Sequence, residues 1–338
     1  MHRSEITIDL GALRRNVRTL LRALERTELW AVVKADGYGH GAVDAGGAAL
    51  GEGAAALCVA TVPEALRLRA EFPAARIVVM GSAAGREVAA AREARLELVI
   101  ADDAVPDEIP VHLKLDTGMG RWGFSELLRP PANVVGVMSH LASADCDDEF
   151  TRLQIERFHA ATAGYGLKRH IANSAAALRF PESRFDAARC GIALYGLSPF
   201  GTDPSDDALE PVLRWHSRLA QVKRLEPGQS TGYGRRFVAE RATWIGIVPV
   251  GYADGFRRDL TGTEVRVGGD LCRVVGTISM DAFAVELPRE LPAGAPVTLI
   301  GHGVLAESHA RVAGTITYEL VSRIESGPER ARRTVVDG

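Results

Sequence analysis

The sequence predicts an α/β chain in two domains: a (β/α)8 barrel of the TIM type over residues 1–208 and an all-β domain over 209–338. Three observations carry this. Short apolar runs alternate with amphipathic stretches from residue 30 to residue 192. Strand alternating with helix signals a parallel sheet, and eight such units are enough to close a barrel. The rhythm stops at Ser198-Pro-Phe-Gly-Thr-Asp-Pro204, a turn-rich linker. Beyond it the apolar runs are punctuated by Gly, Pro and Asp, and helical periodicity nearly vanishes. An open doubly wound sheet is the competing architecture. No GxGxxG follows the first buried strand, which removes its dinucleotide-binding form.

Residues 5–10 alternate like a strand and could pair with the second domain across the chain. Leu13, Val17, Leu20, Leu21 and Leu24 recur at helical spacing, so 11–25 is a helix. The barrel strands are expected at 30–34, 56–60, 77–80, 96–100, 111–115, 134–138, 169–172 and 187–192. Their near-continuous apolar character is that of strands buried on both faces. Helices are expected at 43–50, 63–71, 86–92, 150–163 and 174–178. In the second domain, strands are expected at 213–223, 242–250, 264–267, 272–278, 283–287 and 297–300, with a short helix at 318–326. The arginines at 330–333 read as a solvated face.

Composition is that of an ordinary globular chain: 338 residues, 46% hydrophobic and 25% charged. A net charge of -3 gives no general attraction to nucleic acid or to acidic membranes. Cys58, Cys146, Cys190 and Cys272 form no CxxC pair and no zinc pattern, so no metal site is expected and the thiols should be reduced. The first residues carry no apolar signal core, and no run is long enough for a membrane span. The expectation is a cytoplasmic protein.

The chemistry centres on Ala31-Val-Val-Lys-Ala-Asp-Gly-Tyr-Gly-His-Gly41. Lys34 closes an apolar strand, where a charged amine is costly unless paired. A desolvated lysine loses its proton more easily and becomes a nucleophile toward carbonyls, as in Schiff-base chemistry with pyridoxal phosphate. Gly37, Gly39 and Gly41 allow a ligand close to the backbone. In a barrel, working residues lie beyond the C-terminal strand ends. Polar residues collect there: Lys34 after the first strand, Lys114, Asp116 and Arg121 after the fifth, and His140 after the sixth. His170, Asn173 and Ser174 follow the seventh strand, and Arg189, Gly191 and Ile192 the eighth. The loops after strands seven and eight are the usual phosphate site of such barrels. Ser174 could equally be a plain helix N-cap.

The first stretch resembles the cofactor-attachment motif of alanine racemases. Lys114-Leu-Asp-Thr-Gly-Met-Gly-Arg121, Ser139-His-Leu-Ala-Ser-Ala-Asp145, His170-Ile-Ala-Asn-Ser174 and Arg189-Cys-Gly-Ile-Ala-Leu-Tyr-Gly196 are similar to that family as well. So are Thr231-Gly-Tyr-Gly234, Val250-Gly-Tyr-Ala-Asp-Gly255, residues 276–281 and Thr315-Ile-Thr-Tyr-Glu319. The resemblance runs in order along essentially the whole chain. Asp36-Gly37 replaces a common Asn-Ala, Cys190 a common proline and Gly232 a common serine. Gly232 adds backbone freedom beside Tyr233. Residues 325–338 fit the family poorly and receive no role.

The resemblance implies pyridoxal 5'-phosphate as cofactor and interconversion of L- and D-alanine by two opposed bases. Lys34 would carry the cofactor and act as one base. Tyr233, reaching in from the partner of a homodimer with shared active sites, would be the other. Tyr38, Asn173, Ser174, Gly191, Ile192 and Tyr318 would hold the phosphate end. Arg189, backed by His170, would bind the ring nitrogen. A guanidinium does not give up a proton there, which leaves the ring a weaker electron sink. His140 would lie beside the ring. Arg121 would hold the substrate carboxylate, oriented by Lys114, a lysine that is carbamylated in some relatives. Tyr252 and Met280 would narrow the entrance from the partner, with Asp281 supporting that rim. D-Alanine would feed peptidoglycan. The alternatives are a broader amino-acid racemase, a decarboxylase, a non-catalytic pyridoxal-phosphate-binding protein and an inactive homologue. The absent signal core counts against the first, the second-domain motifs against the decarboxylase and the non-catalytic protein, and the complete set of Lys34, Arg121, Arg189 and Tyr233 against the inactive homologue.

Overall fold

The computed structural model describes residues 2–127 and 130–338. The chain divides into two compact units. One holds residues 13–200 and 205–210; the other holds residues 1–12, 201–204 and 211–338. The strands are numbered in chain order, beginning with β1 (Glu5–Asp9).

The larger unit is a parallel barrel of β2 (Glu28–Val32), β3 (Ala56–Val59), β4 (Ile77–Val79), β5 (Glu97–Ile100), β6 (Val111–Lys114), β7 (Val134–Met138), β8 (Lys168–His170) and β9 (Ala187–Cys190). Hydrogen-bonded order follows the chain from β2 to β8, and β9 pairs with β2. The last seam is bridged by Asp186 N–H to Arg169 O (3.1 Å) and Arg189 N–H to Ala172 O (2.9 Å). The ring is thus nearly closed, as the alternating apolar runs required. Helices Ala42–Gly51, Val62–Glu71, Arg86–Glu93, Asp148–Thr162 and Ser174–Arg179 fall where the sequence placed them. Thr61 begins the second of these with a capping box on Glu64. Strand β3 is buried throughout, and β2 is buried beyond Glu28. That is the two-faced burial expected of a parallel sheet.

The smaller unit is built on a nine-stranded sheet. Its further strands are β10 (Leu213–Arg218), β11 (Gln221–Leu225), β14 (Thr243–Val248), β15 (Glu264–Val267), β16 (Asp270–Val275), β17 (Phe283–Leu287), β18 (Pro296–Ile300) and β19 (Arg332–Val336). The order is β11-β14-β17-β16-β15-β18-β10-β1-β19, and β12 (Ser230–Thr231) pairs apart with β13 (Phe237–Val238). Strand β1 lies antiparallel to β10 and parallel to β19.

Three expectations change. The strand expected over 213–223 breaks into β10 and β11, because Leu219 N–H bonds to Ala295 O and the chain turns back along β14. A helix Ala306–Ala313 was not foreseen; its apolar stripe is short. The tail given no role forms edge strand β19, and Arg330 is not merely solvated. Its Nε donates to Asp254 Oδ1 (2.9 Å) and its Nη2 to Asp281 Oδ1 (2.6 Å).

Candidate active site

Lys34 lies just beyond β2, on a backbone of unusual hand. Ala35, Asp36, Gly37 and Tyr38 have φ of 52°, 49°, 63° and 55°. Such a left-handed turn costs L-residues about 1–2 kcal/mol each. Side chains hold it. Glu64 Oε1 accepts from Ala35 N–H (2.7 Å), and Asp36 Oδ1 accepts from Ala42 N–H (3.0 Å). The buried Tyr195 donates its hydroxyl to Val32 O (3.0 Å) under the same turn. The strained turn points to function, since strain persists where the surroundings enforce it. Lys34 is half-buried. Burial first, and the nearby Arg121 charge second, pull its amine below the ordinary lysine value.

Across the barrel mouth, Arg189 is buried in β9 and held on four N–H groups. Nη1 donates to His170 Nδ1 (2.8 Å) and His170 O (2.9 Å). Nη2 donates to Ser139 O (2.8 Å) and His140 Nδ1 (3.3 Å). Its Nε–H makes no hydrogen bond among the described residues. Burial lowers Arg189 to about 10, which still leaves it cationic at neutral pH. Burial, then Arg189, push His140 down to about 3, and His170 is driven well below its usual value for the same two reasons. Both rings are therefore neutral.

Ser174 is not the helix cap. Asn173 is, its Oδ1 accepting from Ala176 N–H (3.0 Å). Ser174 Oγ instead accepts from Gly191 N–H (3.0 Å) and Ala193 N–H (3.4 Å), tying the loops after β8 and β9 together. Gly191 is a cradle: a Cβ there would lie 2.4 Å from the Tyr38 hydroxyl. Tyr38, Ser174, Gly191 and Ile192 thus converge.

After β6, Asp116 Oδ1 accepts from the N–H of Gly118, Met119 and Gly120, at 2.9, 2.8 and 3.1 Å, and shapes the loop that carries Arg121. Arg121 is exposed, and Lys114 is buried at 3% exposure. Both cations face the Trp122 ring, at 5.4 and 5.1 Å. Burial, then Arg121 and Arg189, pull Lys114 down to about 8. Gln154, which sequence reading passed over, ties the loops after β6 and β7 together. Its Nε2 donates to Thr117 Oγ1 (3.3 Å) and His140 O (3.2 Å), and its Oε1 accepts from Ala142 N–H (2.8 Å). Glu64 was also missed; a capping-box glutamate was its only sequence signal.

Tyr233, Tyr252, Met280, Asp281 and Tyr318 belong to the β unit. Tyr318 is half-buried in the short helix Thr317–Val321. Tyr233, Tyr252 and Met280 are 72%, 44% and 52% exposed. Their loops are laced together: Thr277 Oγ1 donates to Tyr233 O (2.9 Å), Tyr252 N–H to Ser279 O (3.1 Å) and Ala253 N–H to Met280 O (3.1 Å). Gly232 does not loosen this loop. It holds φ 78°, ψ 172°, a conformation nearly restricted to glycine, so it fixes the approach to Tyr233.

The donor set fits pyridoxal phosphate. An amine lowered by burial stands at Lys34. The unspent Nε–H of Arg189 suits a ring nitrogen. The cradle of Gly191, with the hydroxyls of Tyr38 and Ser174, suits a phosphate. Among the described residues, no group of three or more His, Cys, Asp or Glu side chains could hold a metal, and no helix is long and apolar enough to cross a membrane.

Comparison with known proteins agrees. Family models described as the alanine racemase N-terminal domain and C-terminal domain match residues 8–199 and 212–333. The alanine racemase of Lactiplantibacillus plantarum is 38% identical, with 94% of each chain covered. Alanine racemase 1 of Bacillus subtilis is 40% identical over 94% of this chain and 90% of its own. The structure of the biosynthetic alanine racemase from Pseudomonas aeruginosa superposes with a TM-score of 0.93 at 35% identity, covering 99% of this chain and 100% of the other. That from the D-cycloserine-producing Streptomyces lavendulae gives 0.91 at 36%, covering 100% and 98%.

A barrel with this amine at its rim, joined in one chain to this mostly-β unit, defines a pyridoxal-phosphate-dependent amino-acid racemase. The chain belongs to the alanine racemase family.

Proposed function

We propose that this protein interconverts L- and D-alanine with two bases, Lys34 and Tyr233 of the partner subunit. The observation that carries the reading is the half-buried Lys34, its amine lowered by burial and Arg121, in a turn clamped by Glu64. Related alanine racemases support the substrate, among them the Bacillus anthracis structure with bound L-Ala-P. Pyridoxal phosphate, when bound, supplies the electron withdrawal that acidifies the α-proton of an attached amino acid.

Tyr38, Ser174, Gly191, Ile192 and Tyr318 are the residues proposed to hold the phosphate, with Asn173 fixing the helix start. Arg189 offers its Nε–H to the ring nitrogen, and His170 and His140 fix the guanidinium. Arg121 receives the substrate carboxylate. Lys114, over the same Trp122 ring as Arg121, sets the angle of the guanidinium. The Lys34 amine removes the α-proton from one face. The phenol of Tyr233 of the partner subunit delivers a proton to the other. The reverse reaction exchanges the two roles, as interconversion of mirror images demands.

A single chain leaves Tyr233, Tyr252 and Met280 exposed, which favours a homodimer with two shared sites. Tyr252 and Met280 then narrow the entrance. Asp281, held by Arg330, supports that rim. The two domains, 1–208 and 209–338, are read as cofactor-bearing and rim-bearing. D-Alanine made in the cytoplasm would feed peptidoglycan.

The test is L-alanine incubated with the cofactor-loaded protein in deuterated water, followed by chiral analysis. D-Alanine carrying α-deuterium, lost in Lys34→Ala, is expected. Exchange without inversion would remove Tyr233 from the mechanism. No exchange with alanine from a cofactor-bound protein would overturn the substrate.

A further inference from the structure

The guanidinium of Arg189 is one end of a longer chain of hydrogen bonds, which continues beyond His170. His170 Nε2 meets His112 Nδ1 at 3.0 Å, and His112 Nε2 meets Glu97 Oε2 at 2.8 Å. Glu97 is in turn held by Arg76, from Nε at 2.6 Å and Nη2 at 2.8 Å. The chain descends the barrel interior, from Arg189 near the end of β9 to Glu97 at the start of β5. Both histidines are fully buried.

Its direction is fixed from both ends. Arginine only donates, so His170 Nδ1 accepts and its Nε2 carries the hydrogen. His112 Nδ1 must then accept, and its Nε2–H donates to Glu97. Glu97 is the matching acceptor: burial would raise its carboxyl, but the hydrogen bonds from His112 and Arg76 hold it down to about 2. The surroundings are built around this path. Trp30 packs edge-on to His112 (5.6 Å between centroids) and against His170 (4.5 Å). Gly136 in β7 leaves the room His112 needs, since a Cβ there would lie 2.2 Å from its Nδ1.

We infer that Glu97 is a positioning residue for the racemisation: through His112 and His170 it fixes the hydrogen-bond direction that orients Arg189 toward the cofactor. The inference rests on the proposed role of Arg189. Glu97 touches neither substrate nor cofactor. It anchors the foot of the chain by giving the His112 Nε2–H a buried acceptor, so that the direction Arg189 imposes leaves no N–H unpaired.

The test compares Glu97→Leu, which removes the acceptor, with Glu97→Gln, whose amide oxygen can replace it. The first readout is the nitrogen-15 signature of His112 and His170 in the cofactor-free protein. Both rings should be Nε2–H tautomers in the parent and in Glu97→Gln, with His112 mixed in Glu97→Leu. The second is kinetic: kcat should fall about tenfold in Glu97→Leu with KM for alanine little changed, and recover in Glu97→Gln. That size lies within couplings found in one hydrogen-bonded network. The double variant Arg76→Leu/Glu97→Leu removes both charges, and serves if the single variant does not fold. Unchanged tautomers and unchanged kcat in folded Glu97→Leu would overturn the inference, as would equal kcat losses in the two Glu97 variants. If Arg189→Lys leaves activity intact, the Arg189 reading fails, while the tautomer result still decides what Glu97 does.

Discussion

Replacing Gly191 with alanine isolates one steric contact. Gly191 has φ -119°, outside the left-handed region that favours glycine. The new Cβ would lie 2.4 Å from the Tyr38 hydroxyl and 2.8 Å from its Cζ. Tyr38 must retreat by about 1 Å to restore normal contact. It cannot simply swing away, because the buried ring packs against Tyr195 at 5.1 Å between centroids and its backbone sits in the left-handed turn. If that hydroxyl donates to a phosphate, the lost bond is charge-assisted and worth about 1.5–3 kcal/mol. The expected result is roughly 10- to 150-fold weaker binding of pyridoxal phosphate. The assay is titration of the cofactor-free protein, followed by absorbance. Tyr38→Phe should weaken binding similarly, and the double variant should lose little more than either single one. A folded Gly191→Ala protein with unchanged affinity would refute the phosphate cradle.

Other consequences are as direct. Mixing inactive Lys34→Ala and Tyr233→Phe proteins should restore part of the activity through hybrid dimers; no recovery despite verified subunit exchange would exclude a shared site. Glu64→Ala removes the acceptor of Ala35 N–H, and with it the Ala60 and Thr61 bonds. It should cost about 1–3 kcal/mol in chemical denaturation and slow cofactor attachment at Lys34. Lys114 has its folded pKa lowered to about 8. The unfolded chain then binds more protons than the folded one between pH 8 and an ordinary ~10.4, so stability rises with pH across that window. Lys114→Met should therefore stabilise the cofactor-free protein at pH 7 by on the order of 1–3 kcal/mol, with the gain fading toward pH 10. A gain independent of pH would assign the effect to packing instead.

The sequence by itself determined the barrel, the β unit and the family. Parallel strands buried on two faces leave contiguous apolar runs, and turns leave Gly, Pro and Asp, so those signals are local and survive in one dimension. The rim residues were legible for the same reason: Lys34, His140, Ser174 and Arg189 each sit next to a strand end. What only the tertiary structure decided are the partners of those residues. Glu64 reads as a cap until it reaches Ala35 from another helix. His112 and Glu97 lie inside ordinary strands, and only barrel closure stacks them beneath Arg189. Arg330 looks like surface charge until the chain brings Asp254 and Asp281 to it. The left-handed turn at Ala35, Asp36 and Tyr38 contradicts local preference altogether. A sequence pattern records which conformation each residue prefers. A strained one is set by contacts between residues far apart in the chain, and those exist only once it has folded.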